Sequence, residues 1–398
     1  MKILYLSSLC SMKEYERMFE KYGSTSSHAS QKFNRLLVKG LIENGCEVET
    51  LTERIILQKT YDDLIRPEEV ENGIKYVYLR RYTNKKLNRI MTIWNAFKYI
   101  YKWNQKNPRG TIICDIILGE LSIAVWLASK IKRLNTTAIV TDVPNIRAGE
   151  KRRGIAALPI RIKNIIIFSY KSYIFLTEAM NDRLNIYRKP YIIIEGLVDE
   201  NILKESNTLN NKYPEKVVMM AGLLEDIFGV EMLLEAFKKV KNKEARLKFY
   251  GKGSSIEKIK KASEEDNRIS YCGELTNSQI VEEEKKSTLL VNPRPPLGEW
   301  TSYSFPSKNM EYMASGTPLL AFNLPCIPEE YKSYFYQFSE YTVEGMAKTL
   351  QDLLDCDKNI IHNFGLKAQS WIINNKNSKI QLRKYSILKK FFKERSYV

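Results

Sequence analysis

The sequence has little of what marks a disulfide-linked, zinc-binding or membrane-spanning protein. Its six cysteines are scattered through 398 residues without a CxxC pair, which argues against a disulfide framework and against a zinc site. The opening segment MKILYLSSL has an apolar run too short for a signal sequence or a membrane span, and the longest apolar stretch, residues 165–176, is interrupted by Lys171. We therefore expect a cytoplasmic protein without membrane-spanning segments.

Strand-like and helix-like segments alternate along the chain. In the first half, short segments such as KILYLSS and IICDIIL alternate with longer helical ones, and in the second half VVMMAG, RLKFYG, RISYCG, STLLVNP and TPLLAF do the same. This alternation predicts an α/β protein with doubly wound parallel sheets, and the 44% hydrophobic content is enough for two cores. We predict Rossmann-like domains over residues 1–196 and 197–375, followed by a C-terminal helix over 376–398.

Basic residues are concentrated in the first half of the chain. Of a net charge of +17, residues 72–175 contribute 20 basic against 4 acidic residues. Residues 80–106 interleave lysine and arginine with aromatic residues, and residues 151–163 interleave them with isoleucine and leucine. Both segments suit an anionic membrane surface, to which each nearby basic residue contributes roughly 1 kcal/mol. A solvated basic face is the alternative. Nothing resembles a nucleic-acid-binding module, so we expect no nucleic acid partner.

Residues 304–318, SFPSKNMEYMASGTP, predict a helix with clear ends. Ser304 is a suitable N-cap and Pro306 suits the first turn, where its missing N–H is no loss. Gly316 can adopt the left-handed C-terminal conformation, and Pro318 prevents continuation.

One face of this predicted helix has groups that suit a nucleotide. Ser304, Ser307 or Lys308, and Glu311 follow one another at helical spacing, so they share a face. The helix N-terminus and Lys308 suit a diphosphate, and about two turns further along Glu311 can accept both hydroxyls of a ribose. The alternative is a well-capped helix with one partly buried glutamate.

The second half of the chain resembles the family 4 glycosyltransferases, which have the GT-B fold. The segments that carry the likeness are VVMMAGLL, FGVEMLLEAF, LKFYGKG, RISYCGEL, STLLVNPRP, SFPSKNMEYMASGTPLL and CIPEEY. The resemblance implies two Rossmann-like domains facing a central cleft, with a final helix that crosses back onto the first domain. It also implies that Glu311 binds the donor ribose and that neither a metal nor another cofactor takes part.

Loops that follow the predicted strands of the second half carry the other donor-binding candidates, because ligands of such sheets bind at the carboxyl ends of the strands. In relatives of this family two of these loops lie beside the base and its ribose. The residues that we assign to donor binding in these loops are Gly222, Gly251, Lys252, Gly273 and Leu275. Arg294, after STLLVNP, offers a guanidinium for bidentate contact with phosphate. Each glycine is equally suited to an ordinary turn.

The chain departs from the family pattern at two places. Many members grip the donor diphosphate with Arg and Lys in the loop after the first strand of the second domain, where this chain has Leu223 and Phe228. Because a leaving diphosphate needs cationic stabilisation, we assign that catalytic role to Arg294 and Lys308.

The second departure concerns the pair of glutamates, eight positions apart, that typifies the family. Glu311 matches the later one, but Tyr303, which we assign to donor binding, occupies the earlier position. Glu299 is our candidate for the missing contact with the donor sugar, with a surface glutamate as the alternative.

The first domain is expected to bind the acceptor. The stretch from Cys10 to Ser30 resembles the small-residue loop by which relatives approach the donor phosphate, and Gly23, Ser24 and His28 are its candidates. Asp142 follows the strand TAIVTDV and can fix the acceptor or the sugar by a hydrogen bond; helix capping is the alternative.

The function predicted from these features is that of a hexosyltransferase-type glycosyltransferase of bacterial surface-polysaccharide synthesis. A sugar would pass from a nucleotide-sugar donor, a UDP-sugar in preference, to a hydroxyl of a glycan or polyprenyl-linked acceptor, with retention at the anomeric carbon. The basic first domain favours a peripheral position on the inner face of the membrane. Two alternatives stay open, a GT-B-like sugar-nucleotide epimerase and a non-catalytic nucleotide-sugar or glycan binder, the latter suggested by the missing Arg/Lys pair.

Overall fold

The computed structural model describes residues 1–22, 28–54, 63–144, 146 and 158–395. The chain divides into two compact units. Unit 1 comprises Met1–Leu197 and Ser378–Val398, and unit 2 comprises Val198–Asn377.

Unit 1 is built on a sheet whose strands follow the apolar segments of the first half. The strands are β1 (Lys2–Ser7), β2 (Glu47–Thr52), β3 (Glu69–Glu71), β4 (Ile74–Tyr78), β5 (Thr111–Asp115), β6 (Asn135–Val140), β7 (Ser172–Phe175) and β8 (Tyr191–Ile193). Their order is β3-β4-β2-β1-β5-β6-β7-β8, and neighbours pair in parallel except for β3 with β4. The strand order reverses beside β1, as expected of a doubly wound sheet.

The helices of unit 1 connect these strands. They are α1 (Met12–Tyr22), α2 (His28–Glu43), α3 (Lys85–Lys106), α4 (Gly119–Ile131), α5 (Leu158–Ser169) and α6 (Glu178–Leu184). The prediction of a long loop from Cys10 to Ser30 is wrong for most of that stretch, because α1 occupies Met12–Tyr22 and α2 begins at His28. α1 buries Glu14, Met18 and Tyr22, which follow one another at helical spacing.

Unit 2 has a second sheet with entirely parallel pairing among its described strands. They are β9 (Lys216–Leu223), β10 (Ala245–Lys252), β11 (Ile269–Tyr271), β12 (Leu289–Asn292), β13 (Leu319–Ala321) and β14 (Tyr336–Gln337), in the order β11-β10-β9-β12-β13-β14. β9 is buried continuously over residues 217–221, which is typical of a strand covered by helices on both faces. The α/β architecture predicted from the sequence, with a doubly wound parallel sheet in each half, is confirmed.

The helices of unit 2 cover both faces of this sheet. They are α7 (Val230–Lys238), α8 (Ile256–Glu265), α9 (Asn277–Lys286), α10 (Ser307–Ser315), α11 (Val343–Asp355) and α12 (Lys358–Lys376). The core between helices and sheet includes Phe237, Leu247, Phe249 and Leu290, all without solvent exposure. This packing leaves the carboxyl ends of β9 to β12 to the loops that carry the predicted site.

The last helix, α13 (Ser378–Arg395), belongs to unit 1. It packs against α2, where Gly40 allows a close approach, since a Cβ there would lie 2.4 Å from the carbonyl oxygen of Ser378. The buried hydroxyl of Tyr385 lies 2.8 Å from Thr137 Oγ1 on β6. Among the described residues, no helix is long and apolar enough to cross a membrane.

Candidate functional site

Three glycines form a backbone surface at the carboxyl edge of the unit 2 sheet. Gly222 in β9 is the register partner of Gly251 in β10, and the amide of Gly251 donates to the carbonyl oxygen of Gly273 at 2.9 Å. Gly251 has a φ of +124°, and a Cβ there would lie 2.0 Å from the carbonyl oxygen of Gly222. A side chain is therefore excluded at this position, and the three loops predicted to bind the donor lie side by side.

Helix α10 begins later than the sequence predicts. It starts at Ser307, with Pro306 in the N-cap position and no side chain capping it, so the predicted cap by Ser304 is wrong. The reason is that Phe305 is buried and packs against Tyr331, with ring centroids 5.6 Å apart, so this residue belongs to the core instead of to a helical turn. The predicted end is correct, since Gly316 is left-handed with a φ of +79°.

Two contacts fix α10 against the ends of the central strands. The hydroxyl of Tyr312 accepts from the amide of Ala221 at 2.7 Å and donates to its carbonyl oxygen at 3.1 Å. The side-chain amide of Asn292, at the end of β12, donates to Asn309 Oδ1 at 2.6 Å. The residue that follows Ala221 is Gly222, so these contacts set the position of α10 relative to the glycine surface.

Lys308 lies beside Gly222, as its predicted role requires. Its Cε is 3.8 Å from the position that a Cβ on Gly222 would occupy. The ammonium is paired with Glu311, one turn further along the same helix, and its Nζ is 3.4 Å from Glu284 Oε1 on α9. The structure therefore brings together the predicted diphosphate cation and the predicted ribose carboxylate, and it adds a second carboxylate. Ser307, which precedes Lys308, is exposed.

Burial and charge act in opposite directions on Lys308. Burial lowers the pKa of its amine, but the carboxylates of Glu284 and Glu311 outweigh burial and raise that pKa above its ordinary value. Lys308 is therefore a permanent cation at any physiological pH.

Glu284 was missed by the sequence reasoning. It lies in a run of three glutamates, 282–284, which gives no indication of which side chain is buried. Helical spacing from the buried Ile280 would have placed Glu284 on the inner face, since it follows four residues later.

Arg294 lies beyond the end of β12 and is buried against an aromatic side chain. Its Cζ is 4.1 Å from the ring centroid of Trp300, and the ring of Trp300 meets that of Phe228 edge-on at 6.3 Å. Burial raises the pKa of the Cys326 thiol to about 11, although the positive charge of Arg294 nearby lowers it. Phe228 thus packs against the aromatic ring over which Arg294 lies.

Glu299 and Tyr303 also meet. Glu299 opens a short 3-10 turn, is exposed, and accepts a hydrogen bond from the hydroxyl of Tyr303 at 3.2 Å. Glu299, the candidate for contact with the donor sugar, is therefore in direct contact with Tyr303, a donor-binding candidate.

The remaining donor-binding candidates line the same edge. Lys252 ends β10 as the register partner of Leu223, and both are exposed. Leu275, in the loop after β11, is exposed as well.

The acceptor candidates are in unit 1. Gly23 and Ser24 lie outside the described residues, as do 151–157 of the second basic segment, and His28 is the first residue of α2. Asp142 is exposed, and its Oδ1 accepts from the amide of Val143 at 2.9 Å. The described residues directly after Asp142 are not helical, so it caps no helix there.

Potential metal ligands are not clustered in the described part of the chain, where no three His, Cys, Asp or Glu side chains come together in a way that could hold an ion. Metal independence remains a prediction.

The comparison with protein families identifies part of the chain. Residues 215–356 match the family described as glycosyl transferases group 1. This stretch contains β9 to β14 and all of the donor-binding candidates. The prediction of an enzyme that transfers sugars is thus confirmed at this level, because the chain carries a glycosyl transferase domain. No curated protein matches the chain in a sequence search.

Solved structures resemble the whole chain in fold. Sucrose-phosphate synthase from Thermosynechococcus elongatus is 13% identical, with a TM-score of 0.69 over 99% of this chain and 100% of that one. A glycosyltransferase from Rickettsia africae is 15% identical, with a TM-score of 0.63 over 98% of each chain. HepE from Anabaena, in complex with UDP and glucose, is 11% identical, with a TM-score of 0.61 over the full length of both chains. At these identities the likeness shows the fold alone, which confirms the GT-B assignment.

Proposed function

We propose that this chain, whose residues 215–356 form a glycosyl transferase domain, transfers a sugar from a nucleoside-diphosphate sugar to a hydroxyl acceptor. One observation carries the proposal: the ammonium of Lys308 and the carboxylate of Glu311 lie together on α10, beside the side-chain-free backbone of Gly222. A diphosphate needs a cation and close backbone approach, and a ribose needs a carboxylate. All three are found at the carboxyl edge of a parallel sheet, where such ligands bind.

The chemistry follows from where the charges lie. When the bond between the anomeric carbon and the diphosphate breaks, negative charge develops on the leaving group. Arg294 and Lys308 stabilise that charge, and Glu299 holds a hydroxyl of the donor sugar. A mechanism of this kind depends on positioning and charge stabilisation and needs neither a strong base nor a metal. The proposal is that the enzyme belongs to glycosyltransferase family 4, works with retention and remains active after chelation of divalent ions.

The donor is proposed to be a UDP-sugar. The likeness to HepE, whose structure holds UDP and glucose, supports this choice, although the likeness itself extends only to the fold. Thermal-shift measurements with UDP-, GDP- and ADP-sugars test it, since a ligand at a hundred times its dissociation constant stabilises the folded state by about 2.7 kcal/mol. Stabilisation by no nucleotide sugar would contradict the proposed function.

Incubation of the enzyme with its donor alone separates transfer from the two alternatives. A transferase gives slow donor hydrolysis and, with a saccharide acceptor, a glycoside. An epimerase releases a free altered sugar without any acceptor. A non-catalytic binder is stabilised by the donor and turns nothing over.

The acceptor is proposed to be a glycan or polyprenyl-linked saccharide at the inner membrane face, in surface-polysaccharide or glycoconjugate synthesis. Helix α3 supports the membrane position. Leu87, Ile90 and Trp94 are 46%, 64% and 49% exposed and follow one another at helical spacing, with lysines and arginines among them. The opposite side of the helix is buried in unit 1 through Ala96 and Ile100. An exposed apolar stripe with flanking basic residues suits an anionic lipid surface.

A further inference from the structure

Lys308 is shared between two carboxylates that differ in burial. The Glu284 side chain on α9 has no solvent exposure, that of Glu311 has 14%, and that of Lys308 has 31%. The charged and titratable groups that face the ammonium are Glu284 from α9, and Glu311 and the ring of Tyr312 from α10 itself. Lys308 therefore lies between a fixed inner carboxylate and an outer one that can reach solvent.

The outer carboxylate has two tasks that compete. Glu311 is the residue expected to accept the ribose hydroxyls, yet in the absence of a ligand it accepts from Lys308. To bind ribose it must give up part of that contact. A lysine left in a partly buried position without a counter-charge is costly, so this exchange is unfavourable unless Lys308 keeps another partner.

We propose that Glu284 is a positioning residue that supplies Lys308 with a fixed counter-charge, so that Glu311 is released to turn to the ribose. This inference rests on the proposed nucleotide-sugar site and adds to it a residue that the sequence analysis did not assign to the site. Glu284 suits this role because a hydrogen bond at its own backbone holds helix α9 in place. The carbonyl oxygen of Glu284 accepts from Thr317 Oγ1 at 2.7 Å, and Thr317 lies between α10 and β13.

The arrangement makes opposite predictions for the two parts of a nucleotide. Without the charge of Glu284, Lys308 turns to Glu311 and holds the ribose carboxylate more tightly, so binding of the ribose becomes weaker. Binding of a free diphosphate does not weaken, because one negative charge beside its site has been removed. A purely structural role of Glu284 would affect both ligands in parallel.

The test uses Glu284→Gln, which keeps the shape of the side chain, and compares two probes by calorimetry. One is UDP or GDP, whichever the wild-type chain binds, and the other is inorganic pyrophosphate. We expect the affinity for the nucleotide, divided by the affinity for pyrophosphate, to fall about tenfold in this variant, in line with the loss of one charged hydrogen bond. Glu282→Gln, at an exposed residue of the same helix, removes the same charge and should leave the ratio unchanged.

A second pair of variants covers a failure of Glu284→Gln to fold. Glu284→Asp keeps the charge but withdraws it by one methylene, and it should lower the same ratio by a smaller factor. In the double variant Glu284→Gln/Lys308→Met, Glu311 has lost its competing cation, so pyrophosphate binding should weaken strongly while nucleotide binding weakens less, and the ratio of nucleotide to pyrophosphate affinity should rise again. A parallel change for both probes in these variants would overturn the role of Glu284 alone. Failure of the wild-type chain to bind any of UDP, GDP and ADP would overturn this role and the proposed function together.

Discussion

The guanidinium of Arg294 lies over the indole ring of Trp300, with Cζ 4.1 Å from the ring centroid. Gly298 makes this arrangement possible, because its φ is +85° and a Cβ there would lie 2.9 Å from Trp300 Cδ1. The indole ring also meets the ring of Phe228 edge-on, with centroids 6.3 Å apart. Cation–π contact of a desolvated arginine is worth about 2 kcal/mol, enough to orient the guanidinium before a substrate arrives.

Replacing Arg294 tests whether this oriented cation stabilises the leaving diphosphate. Arg294→Ala should lower turnover about a hundredfold, corresponding to about 3 kcal/mol, while the affinity for the donor changes much less. Arg294→Lys keeps a charge but loses the planar group that lies on Trp300, so it should restore only part of the rate. Steady-state kinetics with a verified donor and acceptor measure both effects.

The control for Arg294 is Lys243→Ala, at an exposed lysine that precedes β10. It removes the same charge at the amino end of that strand, opposite the carboxyl edge, and should leave turnover unchanged. Near-normal turnover in Arg294→Ala and in Lys308→Met would show that the diphosphate is held by backbone amides instead.

Glu311 should matter for nucleotide binding and little for folding. Glu311→Gln removes the charged acceptor for the ribose hydroxyls, and loss of a hydrogen bond to a charged group costs about 1.5–3 kcal/mol, or at least about tenfold in affinity. The thermal unfolding midpoint should stay close to that of the wild type, since the side chain is near the surface and Lys308 retains Glu284. Unchanged affinity for UDP and GDP by calorimetry would contradict the assignment.

Replacement of Glu299 or Tyr303 should weaken binding of the donor sugar and leave binding of the free nucleoside diphosphate unchanged. If Glu299 holds a sugar hydroxyl, Glu299→Gln should raise KM for the nucleotide sugar while affinity for the free nucleoside diphosphate is retained. Tyr303→Phe removes the hydroxyl that donates to Glu299 at 3.2 Å and should give a smaller change in the same direction. Equal weakening of nucleotide and nucleotide sugar would place Glu299 elsewhere in the site.

The elements that the sequence predicts well are those with a simple burial pattern. β9 and β12 are continuous apolar runs because helices cover both faces, and α10 is recognisable from Gly316 at its end. Helix α1 was missed because its buried face contains Glu14, a fully buried carboxylate that accepts from Arg17 at 2.8 Å. A charged residue on the buried face interrupts the helical repeat of apolar residues, so the sequence does not indicate a helix there. The short strands β3 and β14 give too few residues for any pattern.

The residues of the candidate site also divide into those that local sequence patterns indicate and those that only the structure reveals. Gly222 and Gly251 were singled out because loops after parallel strands meet at one edge, which is a consequence of the fold. Glu311 was singled out because helical spacing places it on one face with Ser304 and Lys308. Glu284 and Trp300 were missed because their importance depends on which side chains lie across from them. A buried carboxylate beside a lysine and an indole beneath a guanidinium are contacts between elements distant in sequence, and no local spacing indicates them.

Lys212 makes the stability of unit 2 dependent on pH. Its Nζ donates to the carbonyl oxygen of Ser287 at 2.8 Å and to Thr317 Oγ1 at 2.9 Å, and burial lowers the pKa of the amine to about 7. The unfolded chain, in which the pKa is about 10.4, therefore binds more protons between pH 7 and pH 10. Stability from this group rises with pH across that window and is lowest below it.

The variant Lys212→Met removes this dependence. The difference in unfolding midpoint between the wild type and the variant should grow in favour of the wild type as pH is raised from 7 towards 10. Lys243→Met, at an exposed lysine, serves as the control and should show no such growth. A difference that is constant with pH would mean that Lys212 stays charged in the folded chain throughout.

Membrane docking through α3 can be tested on two separable contributions. Trp94, whose ring lies 4.8 Å from Lys98 Nζ, and Ile90 supply exposed apolar surface, whereas Lys85 and Lys86 supply charge at the start of the helix. Sedimentation with vesicles should show binding that increases with the anionic lipid content and falls with salt, since exposed charges are screened over about 10 Å at 0.1 M.

Lys85→Glu/Lys86→Glu should weaken binding to anionic vesicles most strongly at low salt. Ile90→Ser/Trp94→Ala should weaken binding at every salt concentration, because burial of apolar surface is not screened. Equal binding of the wild type to neutral and anionic vesicles would leave the basic face without a membrane role.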